Sequence, residues 1–550
     1  MIATVEEAQK PPKPRAAATL LSRVGKRFVR LSAGVFLLGA GGSALSYYAL
    51  VKTANFPKTL DGFYVDFNLD ELSISETGGD SDNYGPLSPF FLESQKRLSL
   101  KQTLDALHKA KVDERCKGML LRSSGSLPKG NDWLSGSPAT MAMMQEIRSA
   151  LCEFSSQKEK ISMAAFNTFG ELGTANGLQA YTLATAMKEV YVQPTGHLSI
   201  MGMASRAPFF REFLNKWKVE PFVVKRNKYK NALNNFEHSS YTAEHREATD
   251  HLLGTLFEQC LHDISTSTGV DTRALRRHID KAPLTADQAK DAELITDVQY
   301  GSWVREMIGI QTLKKVLSEV LEDKKNMQKT RAYEKMVWDA NVEEKVRMRM
   351  QDYAAAVEAE KMLDSIHNKI SLAWRNIFRG LGPNREDEKV SPKQIALVYA
   401  EGAILNGSSG SSGKAIEGTR LAQVLQKLSR NPKVKGVVLR VDSPGGSVVG
   451  SDEIWNEVRN LESLKVPVVV SMGNVCASGG YYISCPASRI LASPGTLTGS
   501  IGVIMGKFNF EGFFKDLGVK FDEGKTFGKN ATMMSPTTSY TRAQRRQINR

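Results

Sequence analysis

The chain of 550 residues has little of what holds small secreted domains or metal sites together. Its five cysteines, Cys116, Cys152, Cys260, Cys476 and Cys485, are odd in number, widely spread and free of any CxxC pair. That pattern argues against a disulfide framework and against a structural zinc site. The eight histidines form no HExxH, so the commonest zinc-hydrolase signature is missing, and neither a metal nor another cofactor is expected. No histidine lies in 393–550, and no GxSxG elbow occurs. A Ser-His-Asp triad that draws its histidine from that stretch is therefore ruled out. A nucleic-acid motif is also missing. The net charge of 73 − 59 = +14 invites such a reading, but residues 1–30 alone hold seven basic and two acidic residues, or +5. The remaining +9 is spread over a long surface, and no nucleic-acid partner is expected.

What is present is ordinary globular stuff, 41% apolar and 24% charged, in a length that suits two or three domains. Residues 31–51 are the exception. They carry no charge and are long enough to span a bilayer, which takes about 20 residues. Arg23, Lys26, Arg27 and Arg30 precede them, and Tyr47 and Tyr48 stand near the far end. A basic flank, an apolar span and interfacial aromatics describe a single anchor with the amino terminus on the positive side. A cleaved signal peptide and an organelle-targeting presequence followed by an anchor are the competing readings.

The sequence repeats itself. LKQTLDALHKAKVDERCKGMLLRSS from Leu100 matches LAQVLQKLSRNPKVKGVVLRVDS from Leu421, each a helix face running into a short apolar strand. Downstream, Lys230, Tyr241 and Arg246 match Lys529, Tyr540 and Arg545 at a constant offset of 299. Two similarities in the same order indicate a duplicated α/β unit, since the period is far too long for a solenoid. With Tyr181 set against Tyr481, Ser478 corresponds to Leu178, so the first unit has no nucleophile there. The expected organisation is a basic segment (1–30), an anchor (31–51), a first unit (57–312), a charged helical spacer (313–392) and a second unit (393–550). The second unit ends soon after Lys529 and reads as truncated relative to the first.

The chemistry concentrates in 434–504. VKGVVLRV and VPVVVSM read as buried strands, DSPGGSV (442–448) as a sharp turn, and ASGGYYIS as a strand-to-helix turn. A nucleophilic serine needs such a turn, small neighbours that let a substrate backbone approach, and amide donors where the oxyanion forms. Ser478, followed by Gly479 and Gly480, meets the first two needs, and the Gly445-Gly446 turn can supply one donor for the third, with a second from Gly479.

DSPGGS, ASGGYYIS, SPGTLTGSIGV and, in the first unit, NKYKNA together resemble the long, tandem-domain form of the signal peptide peptidase A (protease IV) family. The likeness runs from about residue 57 to the end, apart from the spacer. It implies an α/β fold of tandem crotonase/Clp-like spiral domains and a Ser/Lys dyad. Carried over by motif, Ser478 resembles the nucleophile, Lys230 the general base and Ser500 the serine that orients the lysine, with Gly446 and Gly479 at the oxyanion hole. Lys529, at the repeat equivalent of Lys230, is a second candidate base. A free lysine, with a pKa near 10.4, is protonated at neutral pH, so a basic role needs burial or nearby positive charge. Lys225, Arg226 and Lys228 supply that charge if the segment is extended. The resemblance further implies a membrane-anchored serine endopeptidase, its catalytic part across a bacterial inner or organellar membrane from the basic terminus. It would cut extended apolar peptides such as remnant signal peptides, and would assemble as a homo-oligomeric ring, a tetramer. The alternative is an inactive or acyl-CoA-type membrane scaffold on the same fold.

Overall fold

The computed structural model describes residues 62–77, 97–125, 140–170, 176–322, 346–358, 360–361, 393–407, 415–522, 530 and 532–548. The basic segment, the 31–51 span and Lys529 lie outside the described residues. Among the described residues no helix is long and apolar enough to cross a membrane.

The first half builds on strand β1 (Phe63–Asn68), helix α1 (Leu100–Val112), strand β2 (Cys116–Ser123), helix α2 (Met141–Ser155), strand β3 (Ile161–Phe166), helix α3 (Leu178–Ala184) and strand β4 (Glu189–Val192). After a further strand, β5 (Glu220–Lys225), come the long helix α4 (Ala243–Thr268), β6 (Asp297–Val298), α5 (Gly301–Glu322) and β7 (Arg347–Arg349). The sheet order is β6-β4-β3-β2-β1-β7, and every pair is parallel. Strands buried on both faces read as near-continuous apolar runs, as FYVDFN and ISMAAF do. One face packs Phe67, Leu107, Met119 and Ile147 into a core with α1 and α2. The other packs Tyr64, Leu120 and Met163 against Val304 and Ile308 of α5. Helix α1 starts on a capping box, Ser99 with Gln102, and buries Leu100 and Leu107, as its leucine spacing predicts.

The spacer expectation needs correction. Residues 313–322 continue α5, 347–349 join the first sheet, and 350–358 are helical. Val346-Arg-Met-Arg-Met350 alternates apolar and charged residues, the period of a strand, and Tyr64, Val65 and Asp66 take Arg347, Met348 and Arg349 as parallel partners. Met350, Tyr353 and Val357 then bury themselves in the first core. Segments 323–345 and 362–392 lie outside the described residues.

The second half repeats the succession with β8 (Gln394–Glu401), α6 (Gly418–Ser429), β9 (Val434–Ser443), α7 (Val448–Ser463), β10 (Val468–Ala477), α8 (Gly479–Ser484) and β11 (Arg489–Leu491). Its sheet is parallel in the order β8-β9-β10-β11, and β12 (Leu497–Gly499) pairs with the far end of β10. Val398, Leu439, Ile454 and Val470 centre its core. The halves are joined by an antiparallel ribbon: β13 (Ile504–Asn509) runs beside β5, from Ile504↔Lys225 to Asn509↔Glu220.

Candidate active site

Strand β10 delivers Ser478. The chain leaves the strand at Ala477 and enters α8 at Gly479, with Ser478 between them at φ 53°, ψ −114°. A positive φ at a non-glycine residue is uncommon and costs energy, so it persists only where its surroundings impose it. Here the Ser478 amide donates to Gly499 O at 2.9 Å, and Ser478 O accepts from the Tyr482 amide at 2.9 Å. The side chain is thereby lifted out of both strand and helix.

Ser500 is held in the same way. It follows β12, which lies beside β10 with Ala477 opposite Gly499, and it too has a positive φ, 47°. Two serines with left-handed backbones thus stand at the ends of adjacent strands.

The lysine comes from the other half. Strand β5 ends at Lys225, the ribbon continues through Arg226 N to Val503 O at 3.1 Å, and the chain then turns at Asn227, whose φ is 66°. This turn carries Lys230 back over Ser500. Its Nζ lies 3.2 Å from Ser478 Oγ, 3.0 Å from Ser500 Oγ and 2.5 Å from Ser500 O. Lys230 is 5% exposed. Its pKa is lowered from the ordinary lysine value, and the cause is desolvation.

The neighbouring cations do not have the part expected of them. Lys230 stands on a turn rather than on an extended strand. Lys225 Nζ is bound by Asn234 and, at 2.8 Å, by Glu237; Lys228 is largely exposed, 3.8 Å from Glu244. Burial, not repulsion, depresses the lysine.

The glycine turn meets this site from the side. Ile404 N donates to Gly445 O at 3.0 Å and Ser447 N donates to Ile404 O at 2.7 Å, a parallel bridge centred on Gly446. In such a bridge the Gly446 N–H points away from Ile404. A Cβ on Gly446 would meet Ile404 O at 2.1 Å, and one on Gly479 would meet Ser451 Oγ at 2.6 Å and Gly446 N at 3.2 Å. Only glycine lets the two turns come this close, and the approach puts the Gly446 and Gly479 amides beside Ser478.

All five sequence-predicted residues, Ser478, Lys230, Ser500, Gly446 and Gly479, therefore meet at one place. The second candidate base, Lys529, lies outside the described residues. The repeat alignment shifts by one residue: Gly177, not Leu178, caps α3 as Ser478 caps α8, and Gly177 O accepts from Tyr181 N as Ser478 O does from Tyr482 N. The carbonyl of Ser500, the nearest contact of Lys230 in this site, was beyond sequence reasoning, because a main-chain acceptor has no residue signature. Among the described residues no group of histidine, cysteine and carboxylate side chains is arranged to hold a metal ion.

Fold and site together describe an α/β protein of parallel sheets with two positive-φ serines facing a buried lysine. The Peptidase family S49 profile matches residues 172–308 and 460–550, the segments that contain Lys230, Ser478 and Ser500. Over these segments the chain is similar to that peptidase family. It is 27% identical over 423 residues to the chloroplastic serine protease SPPA of Arabidopsis thaliana, covering 76% of this chain and 52% of that protein. It is 25% identical over 524 residues to Protease 4 of Haemophilus influenzae, covering 93% and 71%, and 27% identical over 430 residues to Protease 4 of Salmonella typhi, covering 77% and 58%. The chain thus spans between half and seven-tenths of the length of these relatives.

Proposed function

We propose that the protein is a serine endopeptidase in which Ser478 is the nucleophile and Lys230 the general base. The observation that carries this reading is the way the lysine nitrogen is held. A neutral amine has two N–H donors and one lone pair. Ser500 offers two acceptors, its carbonyl at 2.5 Å and its hydroxyl at 3.0 Å, which take both N–H groups. The lone pair is left toward Ser478 Oγ at 3.2 Å. Burial favours the neutral form that such a base requires.

In this mechanism Ser478 Oγ attacks the scissile carbonyl carbon as its proton passes to Lys230 Nζ. The tetrahedral oxyanion is met by the Gly446 and Gly479 amides. Collapse breaks the C–N bond, and the lysine ammonium returns its proton to the leaving amine. Water, deprotonated by the same lysine, then releases the acyl group from Ser478.

The relatives named as proteases support a peptide substrate. The uncharged 31–51 stretch supports a membrane anchor, with extended apolar peptides such as remnant signal peptides as substrates. A tandem crotonase-like architecture assembled as a homo-oligomeric ring in a bacterial inner or organellar membrane completes the reading. The test is cleavage of an extended apolar peptide by the purified full chain and by Ser478→Ala. The variant should fold and lose cleavage; a variant that still cleaves removes Ser478 from the mechanism.

A further inference from the structure

The two reacting groups sit on different halves, so something must fix the halves against each other. The β5–β13 ribbon lies on the lysine side. On the serine side the ladder between β9 and β10 is irregular between Val441 and Ser443, just before the glycine turn. Side chains take over there. Asp442 Oδ1 accepts from Val475 N at 2.9 Å, and Asn474, 7% exposed, turns its carbonyl toward the first half.

Asn474 Oδ1 accepts from the amide of Met143 at 2.8 Å. Met143 is in the first turn of α2, where backbone N–H groups have no partner within the helix. The helix's own N-cap residue, Thr140, makes no side-chain cap. A helix of the first half is thus capped from the second half, by a residue four positions before Ser478. More contacts converge on α2. Gln145 Oε1 accepts from Gly495 N at 2.7 Å, and Glu146 Oε1 accepts from Arg440 at 2.9 Å. Arg440 is also gripped by the buried Glu76 of the first half, at 2.7 and 3.1 Å.

From α2 the contacts lead back to the lysine. Gln145 Nε2 donates to Gln259 Oε1 at 2.7 Å, and Arg148 donates to Asp263 O at 2.9 Å, both on α4. Near the start of α4, Glu247 accepts from the hydroxyl of Tyr229, the residue before Lys230, at 2.8 Å. Two rigid helices therefore connect the serine strand to the lysine turn.

We propose that Asn474 is a positioning residue for the Lys230–Ser478 pair: by capping α2 from the strand that carries Ser478, it sets the distance between the amine of one half and the hydroxyl of the other. The inference rests on the Ser/Lys reading above. It differs from a purely structural role in what it predicts for catalysis. Small misplacements of reacting groups lower the rate of the chemical step strongly, while contacts to remote parts of the substrate are kept.

The experiment is steady-state hydrolysis of one soluble peptide across pH by the full chain and by Asn474→Ala, with thermal unfolding of each. The expected result is a kcat lower by roughly tenfold or more with KM within about twofold. The ascending limb of the pH profile should move toward the ordinary lysine value as the amine loses its enclosure. Asn474→Ser, which keeps a capping oxygen, should recover part of the loss. Glu146→Gln, which leaves Glu76 on Arg440, should give a smaller shift in the same direction. These two variants also decide the matter if Asn474→Ala does not fold. Variants that fold with kcat and the pH limb unchanged overturn the proposal, even if their unfolding temperature falls. Failure of the underlying reading looks different: Lys230→Ala would then remain active whatever Asn474 does.

Discussion

Gly177 and Ser478 occupy the same place in two successions of the same elements, yet their backbones differ. Gly177, a residue free to take a positive φ, sits relaxed at φ −79°, ψ 3°. Ser478, which is not, is held at φ 53°, ψ −114°. The fold therefore does not require the strain; the strain accompanies the serine. Glycine is present in the first half for another reason, since a Cβ on Gly177 would meet Phe169 O at 2.1 Å. The sheets differ in a second way. The first is covered on both faces, with Tyr64 and Leu120 fully buried under α5. On the second, Ile395 is 74% exposed and Leu397 42%, and among the described residues no helix plays the part of α5. The doubly covered half carries the buried amine, and the less covered half carries the strained turn.

The comparison is broken if the serine can be moved. Ser478→Ala combined with Gly177→Ser should stay at least about a thousandfold below the parent in peptide hydrolysis, because Lys230 stands over the Ser478 turn and position 177 has no room for the new Cβ. Restored cleavage would show the two positions to be interchangeable.

A smaller loss is expected at the oxyanion turn. Gly446→Ala forces a Cβ onto the Ile404 carbonyl and shifts the amide proposed to meet the oxyanion. Its kcat should fall by about a hundredfold. A near-normal kcat would remove that amide from the mechanism.

Ser500→Ala should cost less again. The carbonyl still holds Nζ at 2.5 Å and only the 3.0 Å contact is lost, so roughly tenfold in kcat is expected, about one lost hydrogen bond. A loss as large as that of Lys230→Ala would make Ser500 more than a guide for the lysine.

The contrast between the sheets is sharpened by a pair of truncations read by chemical denaturation. Leu120→Ala should cost about 2–5 kcal/mol and Leu397→Ala below about 1 kcal/mol. Equal costs would mean that the outer face of the second sheet is covered in solution.

Much of the site was legible because its requirements are local. A serine turn needs glycines beside it, and Ser478-Gly479-Gly480 and Gly445-Gly446 state that in the sequence. Both apolar strands of the second half read correctly for the same reason. What was not legible depended on tertiary placement. The strand at Arg347–Arg349 was hidden in a helix-rich composition, although its alternation was there to be counted. Burial and adjacent cations were both open as causes of a lowered lysine pKa, and the choice between them was not legible, because sequence gives neighbours along the chain and not the directions of side chains. Asn474 and Met143 are 331 positions apart, and no local pattern links them.

The most direct test of a base on one half serving a nucleophile on the other is covalent labelling of Ser478 by a fluorophosphonate probe as a function of pH. Because the lysine must be neutral and its pKa is lowered, labelling should rise as pH climbs through a value below 10.5 and be lost at lower pH, where the amine is protonated. Labelling should vanish in Lys230→Ala and persist in Lys529→Ala. Labelling that survives in Lys230→Ala, or disappears in Lys529→Ala alone, would contradict a site built from both halves.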